Sequence, residues 1–480
     1  MDGDKGYIQI EGTVSSVVYR NPENGYAVLR LDTPDGGVTA VGCMPDVFPG
    51  ETLTLTGEWA AHHTYGEQFK AELFTRGAPA GADAIYKYLA SGVIRGIGPA
   101  KAKDIVDKFG AQALEVLETE PAKLSAIRGI TARGARELGV AFRRTAGVRR
   151  LIESLTEYGV KPLIAMRLYR TLGDDALDAV RENPYILADR QFGAEFHEAD
   201  AMALKLGFEQ DCPQRVQAAV LFEMRHNTQN GHTFLPYGKL AAATGQLIGT
   251  DGESIEEALD ALCEEGEVVR EEIAGQDACY LRYMYEDEHY AAQKLLTLAR
   301  NGGGAPEALD ALIAGAERAQ GVQYAAEQRR AVTLASNSCV MALTGGPGTG
   351  KTTSVRGILA LFDGLGLKTL LCAPTGRAAK RLSQLANRPA ATVHRALGAG
   401  LGDDGELLFE YGEDNPLKTD AVIVDEASML DLPLTRALLE AVPKDCRLVF
   451  VGDADQLPSV GPGNIFSDII KSGAVPVVTL

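Results

Sequence analysis

The chain has 480 residues, room for about three or four domains, and an ordinary globular composition, 45% hydrophobic and 23% charged. Its net charge of −18 argues against a protein that coats nucleic acid non-specifically, but leaves room for a local basic track. No apolar run reaches the roughly 18 residues of a membrane span. Met1-Asp-Gly-Asp-Lys5 leads into no apolar segment, so no secretory leader is expected. Seven cysteines, at 43, 212, 263, 279, 339, 372 and 446, form no C-x-x-C pair, so neither a disulfide framework nor a zinc site is expected. A reducing cytoplasm fits.

Residues 1–78 read as a small β domain. Tyr7–Val18 and Tyr26–Leu31 alternate in hydropathy, with the turn Asn21-Pro-Glu-Asn-Gly25 between them. Further strands are expected at Val38–Val41, Thr52–Glu58 and Gln68–Phe74. Five short strands with glycine turns predict an OB-like barrel. Tyr19, Tyr26, Trp59, Tyr65 and Phe69 could stack on single-stranded bases, although such aromatics serve the core more often.

Residues 83–190 read as helical and contain a repeat. Ile94-Arg-Gly-Ile-Gly-Pro-Ala-Lys-Ala-Lys-Asp-Ile105 matches Ile127-Arg-Gly-Ile-Thr-Ala-Arg-Gly-Ala-Arg-Glu-Leu138, and Tyr158–Tyr169 is a degenerate third copy. Each copy resembles a helix-hairpin-helix motif. Its glycine permits a left-handed turn and exposes backbone N–H donors to a phosphate. Gly96, Gly98, Lys101, Gly129 and Arg133 are the candidate contacts. From Ala84 to Arg150 there are 13 Lys and Arg against 6 Asp and Glu, the local sign reversal expected of a nucleic-acid track. Packing against other domains is the competing reading. Residues 195–285 mix helices with a short β element and read as a winged-helix-like module. Their acidity favours packing over duplex binding.

From 286 to 480, helices and then alternating strands and helices predict a parallel α/β sheet of the RecA-like P-loop type. Cys339–Leu343 is a strand and Ser354–Phe362 a helical run. Between them, Gly345, Gly350, Lys351 and Thr352 complete the pattern G-x-x-x-x-G-K-[ST], which cradles a polyphosphate. Lys351 would reach the β- and γ-phosphates and the Thr352 hydroxyl would face Mg²⁺. Gly346, Pro347, Gly348, Thr349 and Thr353 complete the cradle, and Gln328 upstream is placed to meet an adenine edge. The strand at Lys368–Ala373 opens into Pro374, Thr375, Gly376 and Arg377, a donor-rich helix start; Thr392-Val-His-Arg395 begins another helix. Ala421–Val424 ends in Asp425 and Glu426, read as the Mg²⁺-binding acid and the group that orients and deprotonates the attacking water. Arg447–Gly452 repeats the strand-to-loop pattern and brings Gln456, a candidate γ-phosphate sensor.

Gly-Gly-Pro-Gly-Thr-Gly-Lys-Thr, Ala-Pro-Thr-Gly-Arg-Ala-Ala, Val-Asp-Glu-Ala-Ser-Met and Gly-Asp-Ala-Asp-Gln-Leu-Pro resemble motifs I, Ia, II and III of superfamily 1 helicases. Ala-Ser-Met and Thr-Val-His-Arg point to the RecD/TraA branch. Asn-Pro-Glu-Asn-Gly-Tyr, Gly-Glu-Gln-Phe-Lys and the hairpin repeat resemble the long bacterial RecD-like form. The resemblance implies ATP-driven 5′→3′ movement on single-stranded DNA with unwinding of the duplex ahead, in DNA repair or recombination. It implies ATP and Mg²⁺ as cofactors. The partners implied are single-stranded DNA and single/double-strand junctions, with repair proteins possible, no membrane, and a monomeric cytoplasmic chain. Lys351, Thr352, Asp425, Glu426 and Gln456 would form the ATP site, and Pro374, Thr375, Gly376, Arg377 and His394 would line the DNA path. The family has a second motor domain whose later motifs do not occur in these 480 residues. The expectation is therefore the N-terminal part of a longer helicase, which binds nucleotide and hydrolyses it poorly. A non-motor, nucleotide-switched DNA-binding protein is the competing class, and a P-loop kinase has less support.

Overall fold

The computed structural model describes residues 8–21, 25–45, 47–62, 66–77, 82–91, 94, 96–302, 306–401, 407–456 and 459–480. Tyr7, Tyr65, residues 22–24 of the first turn, Arg95 of the first repeat, and Leu457 and Pro458 of the last motif lie outside them. The chain divides after Ala218 into two compact units.

The first unit opens with five strands: β1 (Ile8–Arg20), β2 (Tyr26–Thr33), β3 (Gly36–Cys43), β4 (Thr52–His62) and β5 (Gly66–Gly77). They close into a barrel in the order β1-β2-β3-β5-β4. Alternation dictates this: Ala27, Leu29 and Leu31 of β2 are fully buried, while the residues between them are not. Closure brings backbones together where only glycine fits, and a Cβ on Gly57 would lie 2.0 Å from Lys70 O. The aromatics divide between core and surface. Phe69 is fully buried, whereas Tyr19, Tyr26 and Trp59 are 54%, 40% and 41% exposed.

In the helical part of this unit, both repeats fold alike. Gly96 (φ 102°) and Gly129 (φ 86°) take the left-handed turn that a side chain would resist. Ile97 N donates to Ile94 O at 3.0 Å, and Ile130 N to Ile127 O at 3.2 Å. The helices Pro99–Phe109 and Ala132–Thr156 follow. Ile94, Ile97, Ile127, Ile130, Ala102 and Ala135 share one core. Arg149 on the long helix donates to the fully buried Glu51 at 2.8 Å, tying helix to barrel.

The second unit contains a three-stranded antiparallel sheet of β6 (Phe234–Pro236), β7 (Val268–Ile273) and β8 (Gln276–Leu281), ordered β6-β8-β7. The helices Tyr237–Ile248 and Gly252–Glu265 accompany it. The short β element expected within 195–285 is this three-stranded sheet, in which Phe234–Pro236 pairs with β8 as an edge strand, where its Pro236 is tolerated.

The second sheet of this unit is six-stranded and parallel. It uses β9 (Val340–Thr344), β10 (Thr369–Ala373), β11 (Ala391–Thr392), β14 (Ala421–Val424), β15 (Arg447–Gly452) and β16 (Val477–Thr479), in the order β11-β10-β14-β15-β9-β16. The two-residue strands β12 (Gly400–Leu401) and β13 (Leu407–Leu408) pair separately. β9 and β14 are buried at every position, as the continuous apolar runs of a doubly covered parallel strand require. The helix after β9 starts at Lys351, three residues before the predicted Ser354, because Gly350 (φ 100°) already serves as its N-cap.

That helix, Lys351–Gly364, packs against Ala326–Asn337 at Gly357. A Cβ there would come within 2.9 Å of both Tyr324 Oη and Val332 Cγ2. Gly357→Val is expected to cost roughly 1–3 kcal/mol by overpacking and to lower the thermal midpoint. An unchanged midpoint would show that this crossing is not tight.

Candidate functional site

Apart from Gln328, the predicted site residues of the second unit follow strand ends that share one edge of the parallel sheet. Thr344, the last residue of β9, pairs with Gly452 at the end of β15. Val424 pairs with Phe450 and with Cys372, and Ala373 with Thr392. Each chain then leaves its strand directly into one of the motifs. Ligands in open α/β sheets bind along such an edge.

A cleft of about 380 Å³ opens there. Gly346, Pro347, Gly348, Gly350, Lys351 and Thr352 form one side, Asp425 and Glu426 the floor, and Gln456 comes from the loop after β15. Gly348 (φ 79°) and Gly350 (φ 100°) are left-handed, turning the loop around the start of the helix. The Lys351 amine donates to Gly346 O at 3.1 Å and also to Gly345 O. Thr349 Oγ1 donates to Gly346 O at 3.0 Å. Thr352 lines the cleft; Thr353 is half-buried beside it and is not among the lining residues. Gln328 caps its own helix, accepting from Ala325 N at 3.0 Å, and its amide nitrogen lies against Gly350.

The acids differ in environment. Asp425 is held by a 3.0 Å bond from its N–H to Cys372 O. Burial pushes its carboxyl above the usual aspartate range, and the neighbouring Glu426 charge adds to this. Glu426 adopts φ 53°, a left-handed backbone uncommon for a residue with a side chain, and starts the turn Ala427–Met429. Asp453, at the end of β15, is 4% exposed and accepts from Asp455 N at 3.1 Å. Thr344 Oγ1 accepts from Ala454 N at 3.3 Å, tying the loop that carries Gln456 to β9.

Arg356 and Arg381 also line the cleft, with an apolar wall of Val355, Leu382, Leu385 and Ala386. The sequence reading singled out none of these as site residues. Helical spacing was the available signal: Arg356 lies four residues after Thr352, and Leu385 four after Arg381.

The DNA-path candidates lie on the neighbouring strand ends. Thr375 Oγ1 accepts from Ala378 N at 3.2 Å and caps the helix Gly376–Ala386. Pro374 is half-buried; Gly376 and Arg377 are exposed. His394 is the second residue of the short helix Val393–Ala396 after β11, and its ring lies 6.1 Å from that of Phe409. The hairpin candidates belong to the first unit. Gly96, Gly98 and Gly129 are exposed, Lys101 folds back to donate to Gly96 O at 3.0 Å, and Arg133 is paired with Glu137 at 2.8 Å. Among the described residues no cluster of three or more His, Cys, Asp or Glu could hold a metal on its own. No helix among them is long and apolar enough to cross a membrane.

Three family models match the chain: the ATP-dependent DNA helicase YrrC OB-fold domain at 7–79, the ATP-dependent RecD2 DNA helicase HHH domain at 144–234, and an AAA domain at 328–462. The helix-hairpin-helix match thus begins after both copies of the clearest repeat. An ATP-dependent RecD2 DNA helicase of Deinococcus radiodurans is 29% identical over 473 residues, covering 95% of this chain and 65% of that protein. The RecBCD enzyme subunit RecD of Mycolicibacterium smegmatis is 37% identical over 220 residues, 41% of this chain and 38% of that one. The RecD subunit of Haemophilus influenzae is 36% identical over 168 residues, 30% and 26%. The chain spans less than two thirds of the length of each of these relatives.

The raised carboxyl of Asp425 has a consequence for stability. Its ionised form is penalised by burial, so the stability it contributes is present below the ordinary aspartate range and is lost as pH rises through its raised folded range. Asp425→Asn is therefore expected to raise the melting temperature. A lower melting temperature would contradict this account.

Proposed function

We propose that this chain, which belongs with the RecD-like superfamily 1 helicases, carries the nucleotide-binding half of an ATP-driven DNA helicase working in repair or recombination. The observation that supports it most is the meeting of Lys351, Thr352, Asp425, Glu426 and Gln456 in one cleft at the shared edge of a parallel sheet. The glycine-turned loop would receive the triphosphate on its N–H donors, with Lys351 leaving its loop carbonyls for the β- and γ-phosphates. Mg²⁺ suits the buried carboxyl of Asp425 and the Thr352 hydroxyl, and when bound it neutralises charge on the phosphate oxygens. Glu426 would orient and deprotonate the attacking water. Gln456 would report the γ-phosphate through the loop tied to Thr344. The apolar wall of Leu382, Leu385 and Ala386 would keep one side of the cleft dry.

Single-stranded DNA would run over Pro374, Thr375, Gly376, Arg377 and His394, beside the nucleotide but on other strand ends. The hairpins would hold the backbone through Gly96, Gly98, Lys101, Gly129 and Arg133, with Lys101 exchanging a carbonyl for a phosphate. Movement in the 5′→3′ sense, action on strand junctions, a monomeric state and a cytoplasmic setting complete the reading.

In related phosphoryl transfers an arginine from a second body is worth roughly three to five orders of magnitude in rate. One P-loop sheet is found among the described residues. The 480-residue chain alone is accordingly expected to bind Mg²⁺-nucleotide tightly, to hydrolyse ATP slowly with stimulation by single-stranded DNA, and to separate no duplex. Lys351→Ala is expected to abolish both binding and turnover. Steady-state hydrolysis with and without an oligonucleotide tests this. Turnover indifferent to DNA would favour a nucleotide-switched binding protein, and unwinding by the chain alone would overturn the account.

A further inference from the structure

Arg381 joins the two halves of the site. It lies on the helix Gly376–Ala386, four residues after Arg377, so both guanidinium groups fall on the same helix face. Its Nη1 is 3.7 Å from Glu426 Oε1; the Arg381 side chain is 68% exposed and that of Glu426 24%. This is ion-pair range, beyond the reach of a good hydrogen bond. The same guanidinium acts on Asp425, drawing its carboxyl down against the effect of burial. Glu426 follows β14 and Asp425 on a left-handed backbone, φ 53°.

We propose that the Arg381–Glu426 pair restrains the water-activating carboxylate, and that DNA bound at the Pro374–Arg377 turn releases it. Arg381 is then a positioning residue that couples hydrolysis to DNA. The inference rests on the reading of Glu426 and of that turn given above. The helix is short and capped at its start by Thr375, so a strand drawn onto the turn moves Arg381 with it. Exposed ion pairs are weak, and this one is already at long range, so a small displacement opens it. By linkage, whatever holds the pair closed opposes DNA, and whatever opens it favours DNA.

Two simpler roles give opposite signs. As a phosphate ligand, Arg381 would be needed for nucleotide affinity. As a direct DNA contact or part of a general positive field, its loss would weaken DNA binding.

The test uses the 480-residue chain with Arg381→Ala, Arg381→Lys, Glu426→Gln and the Arg381→Ala/Glu426→Gln double variant. Affinity for a fluorescent oligothymidylate is measured by anisotropy at fixed salt, and affinity for Mg²⁺-nucleotide alongside. Arg381→Ala is expected to bind the oligonucleotide about three- to fivefold tighter, the scale of an exposed ion pair, although a cation has been removed. Glu426→Gln should do the same, and the double variant should add nothing further, because both changes remove one interaction. Arg381→Lys should stay near the unaltered chain. At saturating Mg²⁺-nucleotide, DNA-free single-turnover hydrolysis by Arg381→Ala should rise several-fold while stimulation by DNA shrinks. Melting curves check that each variant folds. Weaker or unchanged oligonucleotide binding in Arg381→Ala, or additive effects in the double variant, would overturn the coupling and leave the helicase reading standing. If the unaltered chain binds no oligonucleotide, the reading of the turn falls and the coupling falls with it.

Discussion

Parallel pairing puts the carboxyl ends of β9, β10, β11, β14 and β15 at one edge, and every polar group of the cleft depends on that. The register is held by burial: β9 and β14 have no exposed position, so a slip along the sheet would expose core residues or bury loop groups. Thr344 shows how closely the ends are matched. Its carbonyl accepts from Leu480 N at 2.9 Å and its hydroxyl from Ala454 N at 3.3 Å, so one residue fixes the exits of both neighbouring segments. A Cβ on the next residue, Gly345, would come within 2.7 Å of Thr349 Oγ1 and 3.1 Å of Leu480 Cβ, so a side chain there would crowd the start of the P-loop.

Electrostatics then sorts the edge. In a chain of net charge −18, Lys351, Arg356 and Arg381 line the same cleft as Asp425 and Glu426, beside one apolar wall. Burial raises the cost of ionising Asp425, and the adjacent Glu426 charge adds to it. Such an arrangement is strained until a cation or a polyphosphate joins it, which is the usual condition of a site built for charged ligands.

Much of this was legible in the sequence, for stated reasons. The P-loop, the Asp425–Glu426 pair and the Gln456 loop each follow an apolar run, and a parallel strand leaves few other shapes for that pattern. The five-stranded barrel was legible from alternation, and the paired glycine turns from the repeat. Other features were not. Helix Lys351–Gly364 begins inside the motif because Gly350 caps it, which the periodicity of its apolar face does not reveal. Arg356, Arg381 and Leu385 reach the cleft only through helix packing, so their role depends on tertiary placement. The barrel aromatics could not be divided between core and surface beforehand, since Phe69 and Trp59 sit directly opposite in register and yet one is buried and the other exposed. Lys101 was legible as a candidate contact but not as a donor to its own hairpin carbonyl, Gly96 O.

The most direct measurement of the central claim, that nucleotide and single-stranded DNA meet this sheet edge on different strand ends, is hydrogen–deuterium exchange of the 480-residue chain with each ligand. Mg²⁺ with a non-hydrolysable ATP analogue is predicted to protect residues 345–356 and the 425–429 turn. An oligothymidylate is predicted to protect residues 374–381 and 392–396, together with the hairpin turns at 96–101 and 129–134. Nucleotide protection absent from 345–356, or DNA protection confined to the barrel with none at 374–396, would contradict it.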